Sequence, residues 1–504
     1  MNKSNGITLI ALTITIVIML ILLGVTVTLS MSGKLIQNAE TAKTQTEIEM
    51  ELDIIERAQM IMLSKNKRKN LTASTFEPVL KNEAEDRKTK VSEAGEIIEV
   101  LFEDSNRYYE IDKSGNLKGP FDIIKQDYTG DITKGGTLDG SEEKPYEISC
   151  IEDLVILANR TNGAGNYIDE NGAIKEAVAV NNPFMNKHFI LTRNLNFESK
   201  YSYGKPDLKW RYDSEKDAYI IDETSTTTLK EIITDKTGVG FVPISPDTGS
   251  DIQMFRGNLD GQGYVIQNLY ENRAENAGLF RSMRGSTIKN LTLTGEINAP
   301  GKAVGVFSLR ASNCKFYNCY NNVNVKSKYG CGFVDSVYSN ITMINCYNKG
   351  QGMEASGLIN FDDVGGTTTI VNCYNSGNIT GKKSANVAYS YSSGIIGWAY
   401  TSKTNNIINT CSLGKITNYG NNFYYVTGGA EVNLENCFYP ASIATENSKL
   451  TINEGSTAID ENNVNEVLNQ LNEYVKEHKN DYEVPLKEWK LELINGEKMP
   501  VLAE

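Results

Sequence analysis

The 504 residues include 63 acidic and 50 basic side chains, for a net charge of −13. That balance lacks the dense positive patch that phosphate backbones require, so nucleic acid and other polyanions are poor partners. Eight cysteines stand against only two histidines, His188 and His478, which excludes a histidine-rich metal centre. Asparagine, threonine, serine, glycine and tyrosine are abundant and proline is scarce, at 11 residues. This suits a β-rich, turn-rich extracellular chain better than a helical enzyme.

Residues 7–29 are 23 consecutive uncharged positions rich in Ile, Leu, Val and Thr. As a helix they rise ~34 Å, enough to cross ~30 Å of hydrocarbon. Lys3 and the α-amine precede the run, and positive-inside logic then leaves the N-terminus in the cytoplasm and the rest outside. The expectation is a single-pass protein of the cell membrane with an extracellular C-terminal region. The run is too long for a secretory signal, and Ser30-Met31-Ser32-Gly33 is a poor cleavage site. Over 30–70 the helix continues as an amphipathic rod, with Ile48, Leu52, Ile55 and Met62 among Glu47, Glu49, Glu51, Glu56 and Arg57. A basic run over 65–70 ends it. Strands are expected over 97–102 and 108–111, with a turn at 112–116.

Gly6-Ile7-Thr8-Leu9-Ile10, a short polar leader ending in glycine before an apolar helix, resembles the N-terminus of type IV prepilins. The resemblance implies cleavage between Gly6 and Ile7 by a prepilin peptidase, and pilin-like subunits as partners. Prepilins carry glutamate at the fifth mature position, where this chain has Ala11. That glutamate neutralises a neighbouring amine in the apolar filament core, where an unpaired charge is expensive. Its absence points to a minor or tip subunit, or to one left in the membrane; the alternative is an uncleaved signal anchor. Leader 1–6, membrane helix 7–29, continuation 30–70 and a small β meander over 71–125 together resemble a minimal pilin with an α/β head.

Internal repetition dominates the remainder. Phe316-Tyr317-Asn318-Cys319-Tyr320-Asn321 returns as Ile344-Asn345-Cys346-Tyr347-Asn348, Ile370-Val371-Asn372-Cys373-Tyr374-Asn375, Ile408-Asn409-Thr410-Cys411-Ser412 and Leu434-Glu435-Asn436-Cys437-Phe438-Tyr439. The cysteines are spaced by 27, 27, 38 and 26 residues. Ile266-Gln267-Asn268-Leu269 and Ile288-Lys289-Asn290-Leu291 fit the same slot with leucine. A second marker, glycine before two apolar residues, recurs at Gly278, Gly305, Gly332, Gly357 and Gly394. A shared period near 27 is one turn of a β-solenoid whose successive strands lie ~4.8 Å apart. The expected fold is mainly β: a right-handed parallel β-helix over 126–440, preceded by the transmembrane helix and the small head. Leu269, Leu291, Cys319, Cys346, Cys373, Cys411 and Cys437 should then form one inward structural ladder.

Gly140-Ser141-Glu142-Glu143-Lys144-Pro145-Tyr146-Glu147-Ile148, then Ile151 to Leu157, then Phe241-Val242-Pro243-Ile244 and Gly278-Leu279-Phe280 come in an order that resembles surface β-helix proteins carrying GLUG repeats. That likeness covers about 138–440 and implies a fold, not a chemistry. The ladder cysteines can be free thiols, or disulfides between turns; close C-x₂-C pairs for a thiolate metal site are missing, and no cofactor is expected. Over 463–476 Val464, Val467, Leu468, Leu471 and Val475 recur at helical spacing, and strands are expected at 489–494 and 500–502. Residues 441–504 therefore read as a terminal cap.

Tyr317, Tyr320, Tyr347, Tyr374, Phe438 and Tyr439 sit beside the cysteine slot, and alternation turns them outward. An exposed aromatic row flanked by asparagines can stack on glycan rings or pack on a host or cell-surface protein. The alternative is that the row only stiffens the sheet. Asp362-Asp363, the one adjacent acidic pair in the repeats, reads as an exposed turn, and Arg273, Arg281, Arg284 and Arg310 as scattered. No catalytic constellation emerges. The functional expectation is adhesion or recognition, with a membrane-anchored polysaccharide lyase or hydrolase as the alternative.

Overall fold

A computed structural model describes residues 34–64, 71–123, 128, 130–182, 184–246, 253–362, 365–381, 391–399, 404–418, 422–424, 426–429, 432–442 and 450–503. The chain divides into two units, Met1–Ile123 and Ile124–Glu504. The candidate processing residues Gly6 and Ile7, the apolar run 7–29 and the basic run 65–70 lie outside the described residues. Among the described residues, no helix is long and apolar enough to cross a membrane.

In the first unit, α1 (Lys34–Ser64) and α2 (Ala73–Ala84) accompany an antiparallel sheet of β1 (Thr89–Ala94), β2 (Ile97–Phe102), β3 (Arg107–Ile111) and β4 (Leu117–Asp122), paired in that order. Sequence reasoning reached β2 and β3 but missed α2, whose interior Pro78 argues against a helix. A capping box between Thr72 and Thr75 starts α2 all the same. The buried side of α1 is Ile54, Ile55, Ala58 and Met62; Ile48 and Leu52 are only half-buried.

A carboxylate with no exposed surface, Glu51, sits on that same side. Arg107 donates to it through Nε at 2.9 Å and Nη2 at 2.8 Å, Arg87 Nη2 at 2.6 Å and the Tyr109 hydroxyl at 2.6 Å. A buried ion costs several kcal/mol unless such partners satisfy it. Burial alone raises the Glu51 carboxyl, but the hydrogen bonds from Arg107, Tyr109 and Arg87 more than offset this and hold it below its ordinary value.

The second unit is built on two nine-stranded sheets and one six-stranded sheet, with only parallel strands within each. From Thr287 onward each turn visits them in the same order. Thr287–Lys289, Thr292–Gly305 and Ser308–Ser312 are followed by Cys314–Tyr317, Tyr320–Cys331 and Val334–Val337, each strand pairing with its equivalent one turn earlier. The arrangement is compatible with a β-solenoid. A single core cluster fills its interior, with Phe307 and Phe333 stacked at 4.6 Å. Near the first strand, α3 (Ile151–Asn162) buries Leu154, Val155, Ile156 and Leu157 in the same cluster. The glycine marker has a steric cause. A Cβ on Gly332 would lie 2.1 Å from the carbonyl oxygen of Gly357, and one on Gly357 1.9 Å from that of Gly394.

Register corrects two members of the proposed ladder. Tyr320, Tyr347, Tyr374, Cys411 and Phe438 are successive partners, so the slot just before them holds Cys319, Cys346, Cys373, Thr410 and Cys437. Cys411 is one residue out of the column and packs with the outer aromatic cluster. Leu269 pairs with Gly295, whereas Leu291 precedes the Thr292 that pairs with Tyr320; Leu269 belongs to a different column. The reason is chemical. Cys319 Sγ donates to the Tyr317 carbonyl at 3.4 Å and Cys373 Sγ to that of Val371 at 3.1 Å. Thr410 Oγ1 makes the same bond to Ile408 at 2.8 Å. From Cys319 onward the slot holds a compact side chain with a donor for a corner carbonyl, and threonine serves as well as cysteine; one turn earlier Leu291 fills the same slot without a donor. All eight cysteines are free and buried. Burial pushes the thiols of Cys319 and Cys373 well up.

Two outcomes follow. Glu51→Gln leaves Arg107 and Arg87 without their buried partner and should cost the first unit about 3 kcal/mol in urea unfolding. Because the folded-state value of Glu51 is depressed, its contribution is complete above the ordinary carboxylate range and is lost as pH falls through the folded value. The gap between wild type and variant should therefore close in acid; a gap that stays constant with pH argues against this role. For the cysteines, thiol titration of native protein should give no reaction, and denatured, unreduced protein should give all eight. A smaller number would reveal disulfides.

Candidate functional site

Each turn carries Asn at the corner before the cysteine slot. Asn290, Asn318, Asn345, Asn372, Asn409 and Asn436 all adopt positive φ, between 50° and 55°. Asparagine tolerates this left-handed conformation at a cost most residues cannot match. Their side chains form a continuous amide ladder: Asn318 to Asn290 at 2.9 Å, Asn345 to Asn318 at 2.8 Å, Asn372 to Asn345 at 2.8 Å and Asn409 to Asn372 at 2.7 Å. A second ladder inside the stack runs from Asn321 to Asn348 and on to Asn375, at 2.7 Å per step.

Beside the first ladder the tyrosines stack, 4.4 Å between Tyr320 and Tyr347 and 4.9 Å between Tyr347 and Tyr374. They point away from the interior cluster yet are not on solvent. Tyr317, Tyr347, Tyr374 and Phe438 are at most 5% exposed and Tyr320 is half-buried. The expectation of an exposed aromatic row is corrected: the chain's own C-terminal segment covers it. In α4 (Val464–His478), Val464, Val467, Leu471 and Val475 join the tyrosines in one cluster. So do Leu486, Trp489, Met499 and Val501 from the segment that forms the hairpin Trp489–Ile494 and Glu497–Leu502. Tyr439 is corrected differently. It lies in the interior cluster, since neighbouring strand residues point to opposite faces.

The asparagine ladder also anchors this cover. Asn345 Nδ2 donates to the Pro485 carbonyl at 3.0 Å, and its Oδ1 accepts from the Lys487 N–H at 3.1 Å. Asn372 Nδ2 donates to the Lys487 carbonyl at 2.9 Å, and its Oδ1 accepts from Trp489 Nε1 at 2.6 Å. Lys487 Nζ reaches the Tyr320 hydroxyl at 2.5 Å. A sequence signal for the cover exists. In the same outward columns the earlier turn has Lys289 and Thr292, and aromatic residues begin at Tyr317 and Tyr320. A polar-to-apolar switch along one outward column marks where a cover begins.

A charged cluster escaped sequence reasoning because its members are far apart in the chain. Asp217, in the turn between the paired strands Trp210–Asp213 and Ala218–Ile221, bonds Arg273 Nη1 at 2.8 Å, Arg281 Nη2 at 2.9 Å and the Tyr212 hydroxyl at 2.7 Å. Burial would raise the Asp217 carboxyl, but the charges of Arg273 and Arg281 bring it down to about 2. Fully buried Glu271 lies 3.8 Å from Arg273 Nε and accepts from the Gly278 N–H at 3.3 Å; burial, against the opposing charge of Arg273, lifts it to about 7. Arg273 and Arg281 are thus not scattered: they tie an inserted hairpin to the stack. Asp362 is likewise not an exposed turn residue. It is fully buried in register with Val337 and Ala399, and Asp363 lies outside the described residues. Among the described residues, no group of three or more His, Cys, Asp or Glu could hold a metal ion.

The outer side of the third sheet carries a different column. Ser282, Arg310, Ser336, Phe361 and Trp398 are successive partners, and the last four are half-buried.

Neither known protein families nor curated proteins match this chain. Among solved structures it is similar to "a putative immunoglobulin A1 protease from Bacteroides ovatus", at 16% identity and a TM-score of 0.42, over 72% of this chain and 94% of that one.

The anchoring role of the ladder is testable at Asn372. Asn372→Ala strains a positive-φ position and strands the partners at Lys487 and Trp489, which should cost about 3 kcal/mol in urea unfolding. Asn372→Gly should recover only the conformational part, roughly 1 kcal/mol. Equal losses for the two variants would mean that backbone conformation contributes nothing at this corner.

Proposed function

We propose that this chain is a membrane-anchored, surface-displayed β-helix protein that acts in adhesion or recognition, with a pilin-like N-terminus and a place as a minor or tip subunit of a filament. The observation that carries the reading is the run of 23 uncharged residues over 7–29 directly behind Gly6, which has the length of a membrane helix. It is followed by the 31-residue α1 and then by the parallel stack. In this reading the winding is right-handed, the hand that parallel strand connections take in about 98% of cases. The first unit is the pilin-like α/β head, and a prepilin peptidase cuts after Gly6.

A rigid stack suits recognition because its outward columns repeat at fixed spacing, so side chains from distant turns face one ligand together. Ala11 favours a position with no neighbour's amine to neutralise, as at a tip or in the membrane. The alternative, a polysaccharide lyase or hydrolase, would need an ionisable group within reach of substrate. Glu271 has the shifted value such a group would have, but its side chain is fully buried.

Membrane fractions of cells producing the full chain should contain it, external protease should degrade the portion beyond residue 30, and the mature protein should begin at Ile7. Cells lacking the chain should adhere less to their surface ligand. Chain recovered wholly in the soluble cytoplasm would end the reading, and release of products from a polysaccharide by purified protein would replace it with the enzymatic one.

A further inference from the structure

The third sheet has an outward aromatic pair that the C-terminal segment's apolar cluster does not include. Its inward side is filled by Phe280, Val334, Val337, Ile359 and Ile396, all members of the interior cluster. Outward, Phe361 and Trp398 are direct partners in adjacent turns, one strand spacing or ~4.8 Å apart, and both keep part of their surface on solvent. Ser336 and Arg310 continue the column in the two preceding turns. Beside it, buried Asp335 accepts from Asn360 Nδ2 at 2.8 Å and from the Ser336 hydroxyl at 2.9 Å. This fixes a carboxylate and an amide next to the aromatic step.

We propose that the column Arg310–Ser336–Phe361–Trp398 is the contact strip for a neutral glycan chain lying along the stack axis; the proposal rests on the recognition reading above. Two aromatic rings at strand spacing offer flat apolar faces to successive sugar rings, and fixed polar groups beside them set orientation, the usual composition of a ligand site. The net charge of −13 and the carboxylate of Asp335 oppose a polyanion. The tyrosine row cannot take this role, because its partner is already Trp489 and the residues around it.

The chain contains three tryptophans. Trp210 is fully buried and Trp489 only 4% exposed, so collisional quenching by acrylamide reports mainly on Trp398. Quenching of the full chain is measured with soluble laminarin, mannan and chitin oligosaccharides, and with polygalacturonate. The expected result is loss of the accessible component with at least one neutral glycan. That protection should vanish in Phe361→Ala and in Ser336→Arg, which fills the strip from outside without opening the core. It should persist in Tyr329→Ala, an exposed position on the second sheet. Protection by polygalacturonate alone, by none of the neutral glycans, or undiminished in both strip variants would overturn the proposal. Adhesion that survives in cells carrying Ser336→Arg removes the strip but leaves the recognition reading; adhesion unaffected by loss of the whole chain removes the reading itself.

Discussion

The second unit depends on one recurring interaction: an asparagine held at positive φ whose side-chain amide bonds the equivalent asparagine of the preceding turn. Each such residue solves two problems together. It turns the chain between the first and second sheets without a glycine, avoiding the entropy that glycine loses on folding. It also places donor and acceptor where the neighbouring turn needs them, at 2.7–2.9 Å from Asn318 through Asn409. A slip by one residue would break every rung of this ladder and swap inward for outward side chains. Register is thereby set by polar atoms at the corner as much as by the apolar core, and the thiol and hydroxyl donors beside the corner follow from it.

The same ladder explains why the aromatic row is a packing surface. An amide has more hydrogen-bonding capacity than one neighbour along the stack can use. At Asn345 and Asn372 the remaining capacity goes to the backbone of Pro485 and Lys487 and to the Trp489 indole. Tyrosines beside the ladder then lose contact with water to the C-terminal segment, and their burial is where the cover gains its stability. An outward residue in a solenoid is therefore not by that fact a solvent-facing one. Whether it is covered depends on the neighbouring columns, and here the change from Lys289 and Thr292 to Tyr317 and Tyr320 carries that information.

Periodicity made the repeating part of the molecule legible. The 27-residue spacing of Cys319, Cys346 and Cys373 places these three in one column, as the successive pairing of Tyr320, Tyr347 and Tyr374 requires. Where the period broke, at the 38-residue step, matching by residue type put Cys411 in the slot, while matching by the preceding asparagine puts Thr410 there. The asparagine was the better guide because its backbone conformation is demanding and the slot's chemistry is permissive. Non-periodic features left weaker traces. The pairing of Asp217 with Arg273 and Arg281 joins an insertion to the stack across more than fifty positions, and the Glu51 cluster joins α1 to β3. Neither leaves a spacing that a reader of the sequence could count.

These differences bear on where recognition can reside. A repeated outward column is useful for binding only where three conditions coincide: its side chains reach solvent, its backbone is rigid, and its chemistry differs from the columns on either side. The tyrosine row fails the first. The outer part of the second sheet meets the first, with Asn324, Lys326 and Lys328 exposed, but has little apolar surface to release water on binding. The third sheet meets all of them. Its strands are paired on both sides from Ser308 to Ala399, and its polar start at Ser282 and Arg310 gives way to Phe361 and Trp398 two turns later. As in the covered column, the outward residues change from polar to apolar along the stack; in the proposal above, the partially exposed rings of Phe361 and Trp398 are where the glycan would lie.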